Sequence, residues 1–176
     1  MAAEAEKESE GFAPEKYGPF RRVLFCTDFS ENADFAFQFA VEEAARTPGS
    51  TLHLLHVIPE PDAQFWKTYI YEVEEIDRKA RADIDAKIAK DYLHHVPNGM
   101  DVQVEIRIGK DYIRILEYAE EMDADLIIIG RHGRTAFGKV LFGNVTEKVA
   151  RKAGCPVLII PLSFERAVER NEEEGV

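Results

Sequence analysis

The chain has 176 residues with 45% hydrophobic content, enough for one domain with a sizeable core and no need of a second. Its 33 acidic residues against 22 basic leave a net charge of -11, which argues against nucleic acid as a partner. Met1 to Glu10 lacks the apolar run of a secretory signal, no segment approaches a membrane span, and Cys26 and Cys155 show neither CxxC nor zinc spacing. Together these predict a cytoplasmic protein with reduced core thiols and no membrane association.

Residues 1–19 are polar and acidic, with Pro14, Gly18 and Pro19, and read as a mobile tail ahead of a domain spanning 20–162. Val23 to Thr27 is a continuous apolar run, the pattern of a strand buried on both faces of a parallel sheet, and it ends at Asp28. Ser30 is placed to cap a helix whose apolar positions are Ala33, Phe37, Ala40, Val41 and Ala44, stopped by Pro48-Gly49. Thr51 to Ile58 is a second strand closed by Pro59 and Pro61. Trp66, Tyr69, Val73, Ile76, Ala80, Ile84, Ile88 and Tyr92 then recur at helical spacing in a charged background. A helix over all of 62–95 would be roughly 50 Å long, so a break is expected around residues 65–71.

Pro97-Asn98-Gly99 ends that element, and Val102, Val104, Ile106 and Ile108 alternate as a third strand towards a sheet edge. After Gly109, Ile113, Leu116, Tyr118, Ala119 and Met122 mark a third helix, and residues 125–129 a buried fourth strand. A short helix carrying Val145, Val149 and Ala150 ends at Gly154, and Pro156 to Pro161 holds a fifth strand, followed by an acidic C-terminal tail over 163–176. The alternation predicts an α/β fold: a three-layer, doubly wound sheet of five mainly parallel strands with helices on both faces. Ligands in such sheets bind beyond the carboxyl ends of the strands, where Asp28, Val57 and Gly130 fall.

The glycine-rich stretch from Gly130 to Thr146 joins the fourth strand to the helix after it, a context that suits an anion held by backbone N–H groups at a helix N-terminus. From Gly130 to Gly154 there are six basic residues and one acid, so a basic island stands in an acidic chain. The dinucleotide fingerprint GxGxxG is absent after the first strand, where Asp28-Phe29-Ser30-Glu31-Asn32 stands. Gly133-x4-Gly138-Lys139 imitates a P-loop, but Val140 follows where a magnesium-holding hydroxyl is required. The spacing Gly130-x2-Gly133-x9-Gly143 fits neither pattern. His53 and His56 face opposite sides of a strand and His94 and His95 adjoin on a helix, so neither pair is a ready metal site. His132 lies within the loop, either touching phosphate or solvent-exposed, and the stripe Trp66, Tyr69, Val73 reads as packing.

With Val23-Leu24-Phe25-Cys26-Thr27-Asp28-Phe29-Ser30, Leu54-Leu55-His56-Val57, the glycine stretch and Cys155-Pro156-Val157-Leu158-Ile159, the chain resembles the universal stress protein family, a Rossmann-like, adenine nucleotide alpha-hydrolase-like group, over roughly residues 20–161. The resemblance to its ATP-binding branch implies that Asp28, beside Thr27, and Val57 line the adenine and ribose end. Gly130, Gly133, Gly143 and the position of Asn144 would hold ribose and phosphates; Val145 offers its N–H and Thr146 a nearby hydroxyl, while Arg131, Arg134 and Lys139 either screen phosphate charge or simply solvate the loop. That branch carries Ser or Thr at the position of Asn144. The Asn amide can also donate, but it is larger and can instead cap the helix.

The expected function is that of an ATP-binding, stress-response regulatory protein, with magnesium accompanying the nucleotide and no catalytic residue. The resemblance implies a homodimer, with the edge strand Val157–Ile160 as the pairing surface. Two alternatives stay open: a nucleotide-independent interaction module, and an ATP-consuming enzyme of related fold. Against the latter, the Ser-Gly-Gly-x-Asp-Ser pattern expected after the first strand is absent.

Overall fold

The structure, a computed structural model, describes residues 18–59, 73–132 and 142–164, with residues 73–80 described by their backbone alone. In chain order the elements are β1 (Arg22–Thr27), α1 (Glu31–Arg46), β2 (Thr51–Pro59), α2 (Val73–Asp91), a 3-10 turn (Leu93–His95), β3 (Asp101–Gly109), α3 (Asp111–Glu121), β4 (Leu126–Gly130), α4 (Asn144–Lys152) and β5 (Val157–Ile160).

The five strands form one sheet in the order β3-β2-β1-β4-β5, with every neighbouring pair parallel. The alternation of residues along β1 divides two cores. Val23 and Phe25 pack beneath α1 and the end of α2, while Leu24 and Cys26 face α3 and α4. β1 and β4 therefore need apolar side chains on both faces, which is why their sequences read as apolar runs, whereas the inner strand β2 also buries His53 and His56. Cys26 is a buried free thiol and Cys155 a half-buried one.

Helix α1 starts where Ser30 accepts a hydrogen bond from Ala33 N at 3.2 Å, as its N-cap position leads one to expect. Its covered arc is wider than the five expected positions, since Asn32, Phe35 and Ala36 are buried as well. Phe35 stacks edge-on to Phe39, whose ring meets Phe164 6.0 Å away, beyond the expected domain edge at residue 162.

The expected long helix appears as α2 from Val73, and the start of its stripe, including Trp66, Tyr69 and the anticipated break, lies outside the described residues. Its other end is interrupted: Tyr92 adopts a non-helical conformation between α2 and the 3-10 turn. There Tyr92 is fully buried, its ring 4.8 Å from Phe37 and 5.6 Å from Phe25. In α3 the buried positions are Ile115 and Ala119, whereas Ile113 is 37% exposed. β3 is an edge strand, as its alternation suggested, and β5 forms the opposite edge.

Candidate functional site

Strand order reverses at β1, with β2 on one side and β4 on the other, so the chain leaving β1 and the chain leaving β4 diverge over a shared crevice. β1, β4 and β5 finish level, with Thr27 opposite His56 and Gly130 opposite Ile160, while β2 runs on to Pro59.

At the β1 end a set of short hydrogen bonds turns the chain into α1. Asp28 Oδ1 accepts from Ser30 N at 3.1 Å, and Phe29 N donates to Thr27 Oγ1 at 2.9 Å. Phe29 sits in the left-handed region with φ 58, a conformation that costs roughly 1–2 kcal/mol for a residue with a side chain. Its ring contacts offset that cost: His56 lies 4.5 Å away, Tyr92 stacks at 5.9 Å, and Lys87 Nζ sits 4.9 Å above the ring.

Thr27 faces inward. Its hydroxyl is 2.6 Å from Tyr92 Oη, which in turn donates to Asp34 Oδ1. Because the carboxylate can only accept, the Tyr92 proton points to Asp34 and the Thr27 proton to Tyr92. Burial and the hydrogen bond to Asp34 push the Tyr92 phenol well above its ordinary value. The Thr27 carbonyl accepts from His56 Nδ1 at 2.9 Å, which places a proton on that nitrogen. His53, on the other face as strand parity requires, meets the Tyr118 hydroxyl at 3.0 Å, and burial lowers its basicity, with Asp101 opposing.

The β4 end is fastened by Asn32, which is 4% exposed. Its Nδ2 donates to the Ile160 carbonyl at 2.9 Å and its Oδ1 accepts from His132 N at 3.0 Å. Gly130 lies against it: a Cβ there would stand 3.1 Å from both Asn32 Cγ and the Asn32 carbonyl oxygen. Close approach of α1 to β4 therefore dictates this glycine independently of any ligand. The Thr146 hydroxyl donates to the Gly130 carbonyl at 2.9 Å, and Arg131 N to Ile160 O at 2.8 Å. Gly143 N donates to Arg131 O at 2.9 Å, joining the two ends of the glycine stretch.

Helix α4 begins at Asn144 with Gly143 as N-cap and no side-chain cap, so Asn144 does not cap it. The first backbone bond runs from Glu147 N to Gly143 O. Among the described residues no acceptor meets the N–H groups of Asn144, Val145 and Thr146, the three orphan donors of a helix start. Gly133, Arg134, Gly138 and Lys139 fall outside the described residues. The His132 ring stands 3.4 Å from Arg131 Nε.

Asp111 and Asn32 were not among the expected site residues. Asp111, in the first turn of α3, has a buried Oδ1 without a hydrogen-bond partner among the described residues. Burial raises its carboxyl, the charge of Asp28 raises it further, and its own N–H and His56 pull the other way. An acid starting a helix looks like an ordinary complement to the helix dipole, and no sequence signal marks its nearness to Asp28. The site is polarised: carboxylates gather at the β1 and α3 side, and at the α4 side stand N–H donors that meet no acceptor among the described residues. Among the described residues no three His, Cys, Asp or Glu side chains converge as a metal site, and no helix is long and apolar enough to cross a membrane.

The model of the universal stress protein family matches residues 19–161. The universal stress protein MJ0577 of Methanocaldococcus jannaschii is 29% identical over 157 residues, covering 80% of this chain and 94% of that protein. Its solved structure superposes with a TM-score of 0.69 at 28% identity, covering 82% of this chain and 97% of that one. The Archaeoglobus fulgidus universal stress protein in complex with dAMP shares the fold at 23% identity and a TM-score of 0.51, over 81% and 99% of the two chains. A universal stress protein in complex with cAMP does so at 22% identity and a TM-score of 0.53, over 82% and 98%.

Proposed function

Because the chain belongs to the universal stress protein family, we propose that it is a cytoplasmic regulatory protein that binds ATP in the crevice between the ends of β1, β2 and β4. The observation that carries this reading is the polarity of the crevice. The N–H groups of Asn144, Val145 and Thr146, which meet no acceptor among the described residues, offer an anion its hydrogen bonds at one end. At the other, Asp28 and the unpartnered oxygen of Asp111 repel phosphate and accept from neutral donors such as ribose hydroxyls or a base amino group. Two relatives of the same fold are complexes with adenine nucleotides.

In this reading Asp28 and the backbone near Val57 receive the adenosine. Gly130, Arg131, Gly133, Gly143, Asn144 and Val145 surround the phosphates, and magnesium arrives with them, held by phosphate oxygens. Thr27 and Thr146 act from behind, because their hydroxyls already bind Tyr92 and the Gly130 carbonyl. The protein functions as a homodimer through β5, an edge strand whose Leu158 is 40% exposed.

Calorimetric titration with ATP and magnesium tests the reading, alongside mass spectrometry of the purified protein for carried-over nucleotide. Saturable binding that is lost on Gly143→Trp is expected; no binding at millimolar ATP refutes it, and rapid phosphate release would make the protein an enzyme. Sedimentation of wild type and Leu158→Glu tests the dimer, which the variant should dissociate.

A further inference from the structure

Beside the crevice, three lysines gather around one tyrosine. Tyr112, in the first turn of α3, has Lys148 Nζ 4.8 Å from its ring centroid and Lys110 and Lys152 Nζ each at 5.4 Å. The three ammonium groups therefore lie within about 11 Å of one another, close enough to repel across water. Lys110 precedes α3, whereas Lys148 and Lys152 are one turn apart on α4, continuing a row that starts at Asn144.

The ion pairs among the described residues leave the cluster unneutralised in a chain of charge -11. Arg22, Arg46, Lys87, Arg107, Arg114 and Arg151 each have a carboxylate within ion-pair distance. Lys110, Lys148 and Lys152 have none among the described residues, and Glu147, the acid of α4, turns to Arg151 instead. The ring attracts the cations but leaves their charge unneutralised. An anion seated above it would relieve the repulsion of all three at once.

Lysine favours one kind of anion. Its ammonium is a compact point charge without the planar fork with which arginine matches a single carboxylate. Three such charges, spaced around a ring with Lys148 in the middle of α4 and Lys152 in its last turn, suit a chain of linked phosphates whose oxygens present charge in every direction. We propose that the seam between α3 and α4, formed by Lys110, Tyr112, Lys148 and Lys152, binds an oligophosphate chain. That chain is either free or the phosphate tail of a nucleotide seated at the start of α4; the site does not depend on the nucleotide reading.

The probe is sodium tripolyphosphate, titrated calorimetrically at low ionic strength into wild type, Lys110→Gln and the double variant Lys148→Gln/Lys152→Gln, each checked for an unchanged thermal midpoint. Saturable binding is expected, weakened about tenfold or more in the double variant and less in Lys110→Gln, with a steep loss on adding salt. Gly143→Trp should retain it. Competition with ATP identifies a nucleotide tail as the source and simultaneous binding a free chain; either supports the site. Four results overturn it: no binding to wild type, equal affinity in all lysine variants, loss confined to Gly143→Trp, or equally tight binding of poly-glutamate, which would make the seam a protein-docking face.

Discussion

Gly130→Ala isolates a packing demand from a ligand demand. The new Cβ would lie 3.1 Å from Asn32 Cγ and Asn32 O and 3.2 Å from Asn32 C, against a comfortable separation of about 3.5–4.0 Å. A retreat of a few tenths of an ångström by the start of α1 would suffice, but Asn32 is tethered to Ile160 O at 2.9 Å and His132 N at 3.0 Å, so the retreat stretches both bonds. Overpacking of this kind costs about 1–3 kcal/mol. Loss of glycine's freedom in the unfolded chain returns some 0.4–1 kcal/mol, leaving a net loss of about 1–2 kcal/mol. For a domain of this size that is a fall of roughly 2–8 °C in thermal midpoint. Melting curves of Gly130→Ala should be compared with those of Gly154→Ala, where a Cβ meets nothing within 4 Å and stability should hold or rise slightly. A Gly130→Ala protein as stable as the Gly154→Ala control would refute the reasoning, whatever it did to nucleotide binding.

Tyr92→Phe removes the hydroxyl between Thr27 and Asp34 while keeping the ring contacts, and should cost about 1–2 kcal/mol in urea unfolding; a neutral result would mean that water replaces the bridge. Burial pushes the Asp125 carboxyl up, but the Arg22 guanidinium and the backbone N–H groups of Arg22 and Arg21 more than reverse it and hold it below the usual range. Its stabilisation is therefore present above the unfolded carboxylate value, about 3.9, and is lost as pH falls through the folded value; Asp125→Asn should flatten the acid limb of stability against pH, and an unchanged slope would exclude this assignment. Burial likewise makes His53 harder to protonate, so its NMR titration should lie below the free imidazole value of about 6.5, and stability should drop as pH falls through that lower value. Titration at or above 6.5 would count against its burial.

β1 and β4 were legible because burial on two faces favours an unbroken apolar run: Val23 to Cys26 and Leu126 to Ile129 can hardly be anything else. β3 was legible for the opposite reason, its alternation marking an edge. In α3 the apolar residues spread around more than one face, and only the packing of α3 over β2 and β3 and against α4 selects Ile115 and leaves Ile113 outside. The candidate site was readable as a place on the fold, since Asp28 and Gly130 follow apolar runs. Their bonding was not. Gly130 is small because of a residue 98 positions earlier, and Tyr92 reads as one more core residue of a helical stripe although it stands past the helix and closes a hydrogen-bonded chain to β1. Such facts depend on which distant elements become neighbours.

The bond from Gly143 N to Arg131 O makes the glycine stretch a loop with a closed neck. Strand β4 and helix α4 are joined at that neck, so their placement relative to each other is fixed by a direct bond as well as by the chain between them. Inserting or deleting residues there would leave the register of β4 with β1 and the start of α4 where they are. The cost would be confined to loop closure, where even a doubling in length adds only about 0.6 kcal/mol. The sequence between Arg131 and Gly143 can thus be altered by evolution, or by an engineer, without renegotiating the fold on either side of it.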